Sequence, residues 1–262
     1  MQEAQMAGSL TGNVLFYSQP EPLNPEMHGK LGVNRTDRPY TFVAQTHVVP
    51  LTVTEFVPAS LSYPVVFVGE ARTPLAVMGL RSGENLFVSS EGEFRMDAYI
   101  PAFVRRYPFV FANDQAEQRL ILCVDRKAPF VGEDAEVPFF ENGQPSSYTQ
   151  NAMQFCNDFE TERRRTEQFV QLVKDLDLLD VREAVFTPQN ADGTPGQPQK
   201  LADYYAVSEE KLRNLPAEKM VELRDNGALS QIYAHLHSLL GWDKLIALAV
   251  ERANRQPAAA NA

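Results

Sequence analysis

Charged and imidazole side chains set inside apolar runs are where this chain could carry chemistry. Among the charges between Tyr63 and Phe111, Arg81, Glu84, Arg105 and Arg106 stand out because they interrupt apolar runs. An arginine fork matches a carboxylate or another anion in bidentate fashion, so these four are candidates for binding a small anionic or peptide ligand. The structural alternative has Glu84 pairing with an arginine and pinning a turn to a short helix. His47 and Glu55 form a second constellation, on neighbouring β-rich runs. A histidine–carboxylate pair across strands is a common ligand set for iron or zinc, or a general-base arrangement. No second histidine stands at HxD or HxE spacing, so an iron-oxygenase triad lacks its usual opening.

Other motifs are weaker. His235 and His237 lie two apart on a helical pattern and face different sides, so they do not share a metal as residues four apart do. His235, beside the apolar stripe, is expected as a hydrogen-bonded packing residue. Gly79-Leu-Arg-Ser-Gly-Glu84 is too sparse in glycine for a phosphate loop, and no Gly-Lys-Ser/Thr follows. Neither a nucleophile elbow nor a Cys–His signature occurs. Phe103, Tyr107, Phe109, Phe111, Phe139 and Phe140 read as core first and as a peptide or glycan platform second.

The elements that must position these residues change character near residue 140. Residues 1–39 are polar and rich in turn formers, an irregular lead-in with an edge-strand candidate at Val14-Leu-Phe-Tyr17. From 40 to 137 the signals are those of strands: Thr41–Val49, the alternating Leu51–Val57, the continuous apolar run Val65–Val68, then Leu75–Leu80 and a return at Leu86–Val88. Pro101 opens a short helix and Pro108 closes it. Phe109–Phe111 and Arg119–Val124 make a further pair. From 147 to 253 apolar residues recur at spacings of three and four, predicting helices near 147–179, 208–215, 216–227, 228–240 and 242–253. Val181–Phe186 reads as a strand, 188–198 as a loop, and 255–262 as a flexible tail. The expectation is one α+β domain over 40–254, its antiparallel sheet open or barrel-like and its helices packed against it.

Composition limits the function classes. The 262 residues carry a net charge of −10, which argues against a nucleic-acid surface, since phosphate binding needs clustered Lys and Arg. Arg163-Arg-Arg165 is flanked by acidic residues and reads as a solvated helix face. No apolar stretch approaches the ~20 residues that cross a bilayer, so membrane insertion is not expected. Cys123 and Cys156 read as two reduced core thiols, which suits a cytoplasmic location, with signal-less export the other option.

Five stretches carry a resemblance to a known family. They are Tyr63-Pro-Val-Val-Phe67, Gly79-Leu-Arg-Ser-Gly-Glu-Asn-Leu-Phe-Val88, Tyr99-Ile-Pro-Ala-Phe-Val-Arg-Arg-Tyr-Pro-Phe109, Phe139-Phe-Glu-Asn-Gly-Gln-Pro145 and Ile232-Tyr-Ala-His-Leu-His-Ser-Leu239. Together they resemble the SapC family of bacterial proteins, in order, over about residues 10 to 250. The family takes its name from a protein linked to a bacterial surface layer. Other members resemble accessory proteins encoded beside TonB-dependent receptors and flavin-dependent halogenase-like proteins. The resemblance implies a non-enzymatic accessory or binding protein of a Gram-negative bacterium with a protein partner and no cofactor. It carries over no catalytic residue. A metal-dependent, oxygenase-like enzyme acting on a small molecule or peptide with iron or zinc is the first alternative. A subunit of a larger complex is the second.

Overall fold

Short apolar runs cut by proline and glycine set the strands, so many backbone groups must find partners outside regular ladders. The computed structural model describes residues 15–114, 119–188 and 194–255. The chain opens with β1 (Pro20–Pro22), α1 (Pro25–His28), β2 (Leu31–Val33), β3 (Val48–Pro50) and α2 (Phe56–Ser60). Next come β4 (Val65–Val68), β5 (Thr73–Val77), α3 (Ala102–Arg105), β6 (Phe109–Asp114) and β7 (Arg119–Asp125). Four short strands follow: β8 (Val131–Glu133), β9 (Val137–Pro138), β10 (Phe140–Glu141) and β11 (Gln144–Pro145). Helix α4 (Ser147–Asp175) leads to β12 (Leu179–Phe186) and β13 (Gln199–Val207). Helices α5 (Glu209–Arg213), α6 (Ala217–Asp225), α7 (Ala228–Ser238) and α8 (Gly241–Arg255) end the described chain. Strand pairing among the described residues is antiparallel, and the class is α+β.

The chain divides into two compact units, Met1–Phe42 with Arg105–Glu160, and Val43–Val104 with Thr161–Ala262. In the first, one sheet runs β1-β7-β6, a second runs β8-β2-β9, and β10-β11 form a ribbon. Alternation along β7 sends Leu122 and Val124 into a cluster with Leu31, Phe109, Phe139, Phe140 and Cys156. Cys123 faces the other way, toward Tyr17, Tyr107, Val110 and Ala128. The stretch before residue 40 therefore contributes two paired strands and a core tyrosine. Asn24 caps α1 by accepting the Glu26 N–H at 2.7 Å, with Pro25 in the first turn. Of the Val14–Tyr17 segment, Val14 lies outside the described residues, and Leu15–Tyr17 form a turn and its exit rather than an edge strand.

Asp125, at the end of β7, is fully buried. Its carboxylate accepts the N–H groups of Ser18 (2.9 Å), Gln19 (2.9 Å) and Lys127 (3.1 Å) and the Tyr107 hydroxyl (3.1 Å). Burial, and next the Asp125 charge, push the Tyr107 hydroxyl above its ordinary pKa, so it remains a donor.

The second unit holds a five-stranded sheet ordered β12-β13-β4-β5-β3. It ends at β12 and β3, so the barrel-like option does not hold: the sheet stays open. Two of its five strands come from beyond residue 178: β12 contains the strand read at Val181–Phe186, and β13 lies in a half otherwise read mainly as helical. The strands expected over Thr41–Val49 and Leu51–Val57 also differ. Thr41–Val43 and Val53–Glu55 are 3-10 turns, and Phe56–Ser60 is α2. Thr52-Val-Thr-Glu55 is a capping-box sequence, and its local hydrogen bonds outcompete the strand alternation. Leu86–Val88 is not a strand; an isolated bridge joins Val88 to Phe94. Tyr63, Phe67, Phe87, Met78, Leu178, Leu223, Ile232 and Leu245 fill the core, and Phe56 meets Phe67 and Phe169 edge-to-face.

Removing the Asp125 acceptor would strand three backbone N–H groups, each costing about 1–3 kcal/mol when buried unsatisfied. Asp125→Ala is therefore expected to lose about 3 kcal/mol or more in urea unfolding, with Asp125→Asn in between. Hydrogen exchange should show the loss in β6 and β7. Equal midpoints for the wild type and Asp125→Ala would disprove this role.

Candidate functional site

Glu55 is buried, and its position follows from the capping box that starts at Thr52. Oε2 accepts the Thr52 N–H and hydroxyl, both at 2.8 Å. Oε1 accepts the Tyr99 hydroxyl at 3.0 Å and the Ala102 N–H, at the start of α3, at 2.6 Å. Four donors occupy both oxygens, so this carboxylate is a structural anchor. The half-buried His47 lies instead against the turn after β5. A Cβ on Gly79 would come within 3.1 Å of the His47 Cβ and 2.4 Å of the Glu84 carbonyl, so glycine is what allows this close approach. Among the described residues no group of three or more His, Cys, Asp or Glu is arranged to hold a metal ion.

The four charges of the central block fall into two pairs, one in each unit. In the first unit Arg106 is buried, with its guanidinium 4.5 Å from the Phe159 ring centroid and 5.9 Å from that of Tyr17. Arg105 is exposed and lies 5.2 Å above Phe155. Both arginines are used to pack aromatic rings. In the second unit Glu84 pairs with no arginine side chain among the described residues. Its Oε1 accepts the backbone N–H groups of Leu80 (3.1 Å) and Arg81 (3.0 Å), closing a turn in which Gly83 takes φ +89°. One carboxylate oxygen thus closes the turn, and the exposed Arg81 stands beside it. Among the described residues no ion pair or side-chain hydrogen bond engages the Arg81 guanidinium.

Arg81 and Glu84 line a half-open groove of about 520 Å³ within the second unit. Its walls are Phe186 at the end of β12, Leu201 on β13, and Ile246 and Val250 on α8. Lys200 and Arg252 also line it. Lys200 is held by Glu183 (2.8 Å) and Asp203 (2.7 Å). Arg252 donates from Nη1 to the Asn85 carbonyl (2.7 Å) and from Nη2 to the Val88 carbonyl (2.9 Å). Sequence reasoning found Arg81 and Glu84 but missed Lys200, Arg252 and the apolar wall. The available signal was the apolar surplus of α8, where Val250 stays 45% exposed while Leu245 is buried. A neighbouring cavity of about 380 Å³ holds Arg95, which Asp97 already binds through two hydrogen bonds.

One histidine performs a structural task. His235, fully buried, accepts the Val207 N–H on Nε2 at 3.0 Å and donates from Nδ1 to the Val65 carbonyl at 2.9 Å. Strands β4 and β13 pair at a single position, Phe67 with Tyr205. Two residues along each strand, the next rung would join Val65 to Val207. The imidazole spans that gap, and Ser238 Oγ, one helical turn on, accepts the Val65 N–H at 2.9 Å. Arg72 clamps the same seam from above, 3.5 Å over the Tyr205 ring. Burial lowers the His235 pKa from 6.5 to about 4.

Protonation would put a second N–H opposite the Val207 donor, so the folded state keeps the neutral ring. The stability this confers is complete above pH ~6.5 and is lost as pH falls toward about 4, on the order of 3 kcal/mol. Urea midpoints measured from pH 7 to 4 should fall more steeply for the wild type than for His235→Gln. Parallel curves would rule the histidine out as the cause.

Comparison with known proteins gives one match. The family model described as SapC covers residues 23–245. No curated protein and no solved structure matches the chain.

Proposed function

Because the chain belongs to the SapC family, we propose that it is a non-enzymatic accessory or binding protein of a Gram-negative bacterium, working with surface-layer or TonB-dependent uptake systems. The observation that carries this reading is the division of labour among its polar groups. Glu55, Asp125 and His235 are buried, and each is held by hydrogen bonds that include backbone groups; buried His28 is held by the Asn24 N–H and lies 3.2 Å from the Glu21 carboxylate. The half-open groove beside Arg81 falls in the size range of small-ligand sites and combines an apolar wall with a few polar residues, Arg81 among them.

The reading includes a cytoplasmic location and a protein partner that receives the bound ligand or responds to it. Buried, unlinked Cys123 and Cys156 support a reducing compartment. Burial pushes their thiols up to about 11 and about 12, so neither is poised as a nucleophile.

A ligand panel screened by thermal shift, with product analysis by mass spectrometry and elemental analysis of the purified chain, tests the proposal. One ligand class is expected to raise the melting temperature and to be recovered unchanged, with metal below stoichiometric. Stoichiometric iron or zinc that disappears in His47→Ala, or turnover of any bound compound, would sink the non-enzymatic reading.

A further inference from the structure

We infer that the Arg81 groove binds a monocarboxylate with an apolar body, of which a medium-chain fatty acid is the simplest form. The inference rests on the binding-protein reading above and gives it a ligand class.

The polar end comes from the turn after β5. An exposed guanidinium is commonly neutralised by a neighbouring acid, and Glu84 stands three residues from Arg81. That acid makes no ion pair with Arg81: its Oε1 accepts the Leu80 and Arg81 N–H groups. Arg81 thus keeps its donors for an incoming anion, in the fork geometry that a carboxylate matches. The other two cations along the groove are committed. Arg252 is fixed on the Asn85 and Val88 carbonyls, and Lys200 on Glu183 and Asp203. A phosphate dianion would call for several uncommitted donors. One available guanidinium suits a single carboxylate.

The apolar end comes from α8 and the β12–β13 hairpin. Ile246 and Phe186 are half-buried and Val250 is exposed, so the groove leaves apolar surface in water that an alkyl or aryl body would cover. All of these residues belong to the second unit.

Isothermal titration of the full chain with octanoate and with its uncharged analogue octanamide tests the inference, using the wild type, Arg81→Ala and Val250→Glu. Circular dichroism checks that each variant folds. Octanoate should bind at one site, about tenfold tighter than octanamide, as one charge-assisted interaction would give. Arg81→Ala should erase that difference by weakening octanoate about tenfold, and Val250→Glu should weaken both probes. Equal affinities for acid and amide in the wild type, or an unchanged octanoate affinity in Arg81→Ala, would overturn the ligand class. The binding-protein reading would still stand in that case if Val250→Glu abolished both. Binding of neither probe would also overturn the class, and the wider ligand panel would then decide the reading separately.

Discussion

Unsatisfied backbone is the constraint around which this molecule is built. Its strands are short, so their ladders stop before every buried N–H and C=O has found a partner, and each orphan in a dry interior costs as much as a lost hydrogen bond. Side chains finish what the ladders leave. Val65 shows it most clearly: Ser238 takes its N–H and His235 its C=O, so one face of α7 behaves toward β4 as a strand edge would. Glu55 and Asp125 do the same for turns and helix starts, and Thr166 Oγ1 accepts the Val53 N–H at 2.8 Å.

This use of polar residues separates structure from function within the second unit. Groups that a reader of active sites would notice first are the ones locked most firmly into the fold. What remains available is peripheral: an arginine beside a turn, an apolar helix face and a groove between them. An ion held by backbone amides is well placed to organise a loop and poorly placed to exchange protons with a substrate, because any change in its charge would unsettle the surrounding chain.

The sequence made some of this legible. Continuous apolar runs announced β4, β6 and β7, and the spacing of apolar residues announced α4 and the C-terminal helices, because those elements answer mainly to burial. Alternation misled at Thr52–Phe56, where a threonine and a glutamate three residues apart bend the chain back on itself. The exposed Lys200 and Asp203 mask β13 as a strand, which only pairing with β12 reveals. At the candidate site Arg81 and Glu84 were visible as charges in an apolar block. Their separation into a turn-closing carboxylate and an available guanidinium depends on which way one side chain turns, and residue type does not encode that. Lys200, Val250 and Arg252 lie more than a hundred residues away along the chain, so only the folded sheet and α8 bring them to the same groove.

The two cysteines have a consequence of their own. Cys123 packs on one face of β7, while Cys156 packs on the other with Leu122 and Val124, so a strand's backbone stands between the two sulfurs. A disulfide needs Cβ atoms about 4 Å apart and directed toward each other. The native fold denies that approach, so these two thiols cannot pair with each other for as long as the chain stays folded.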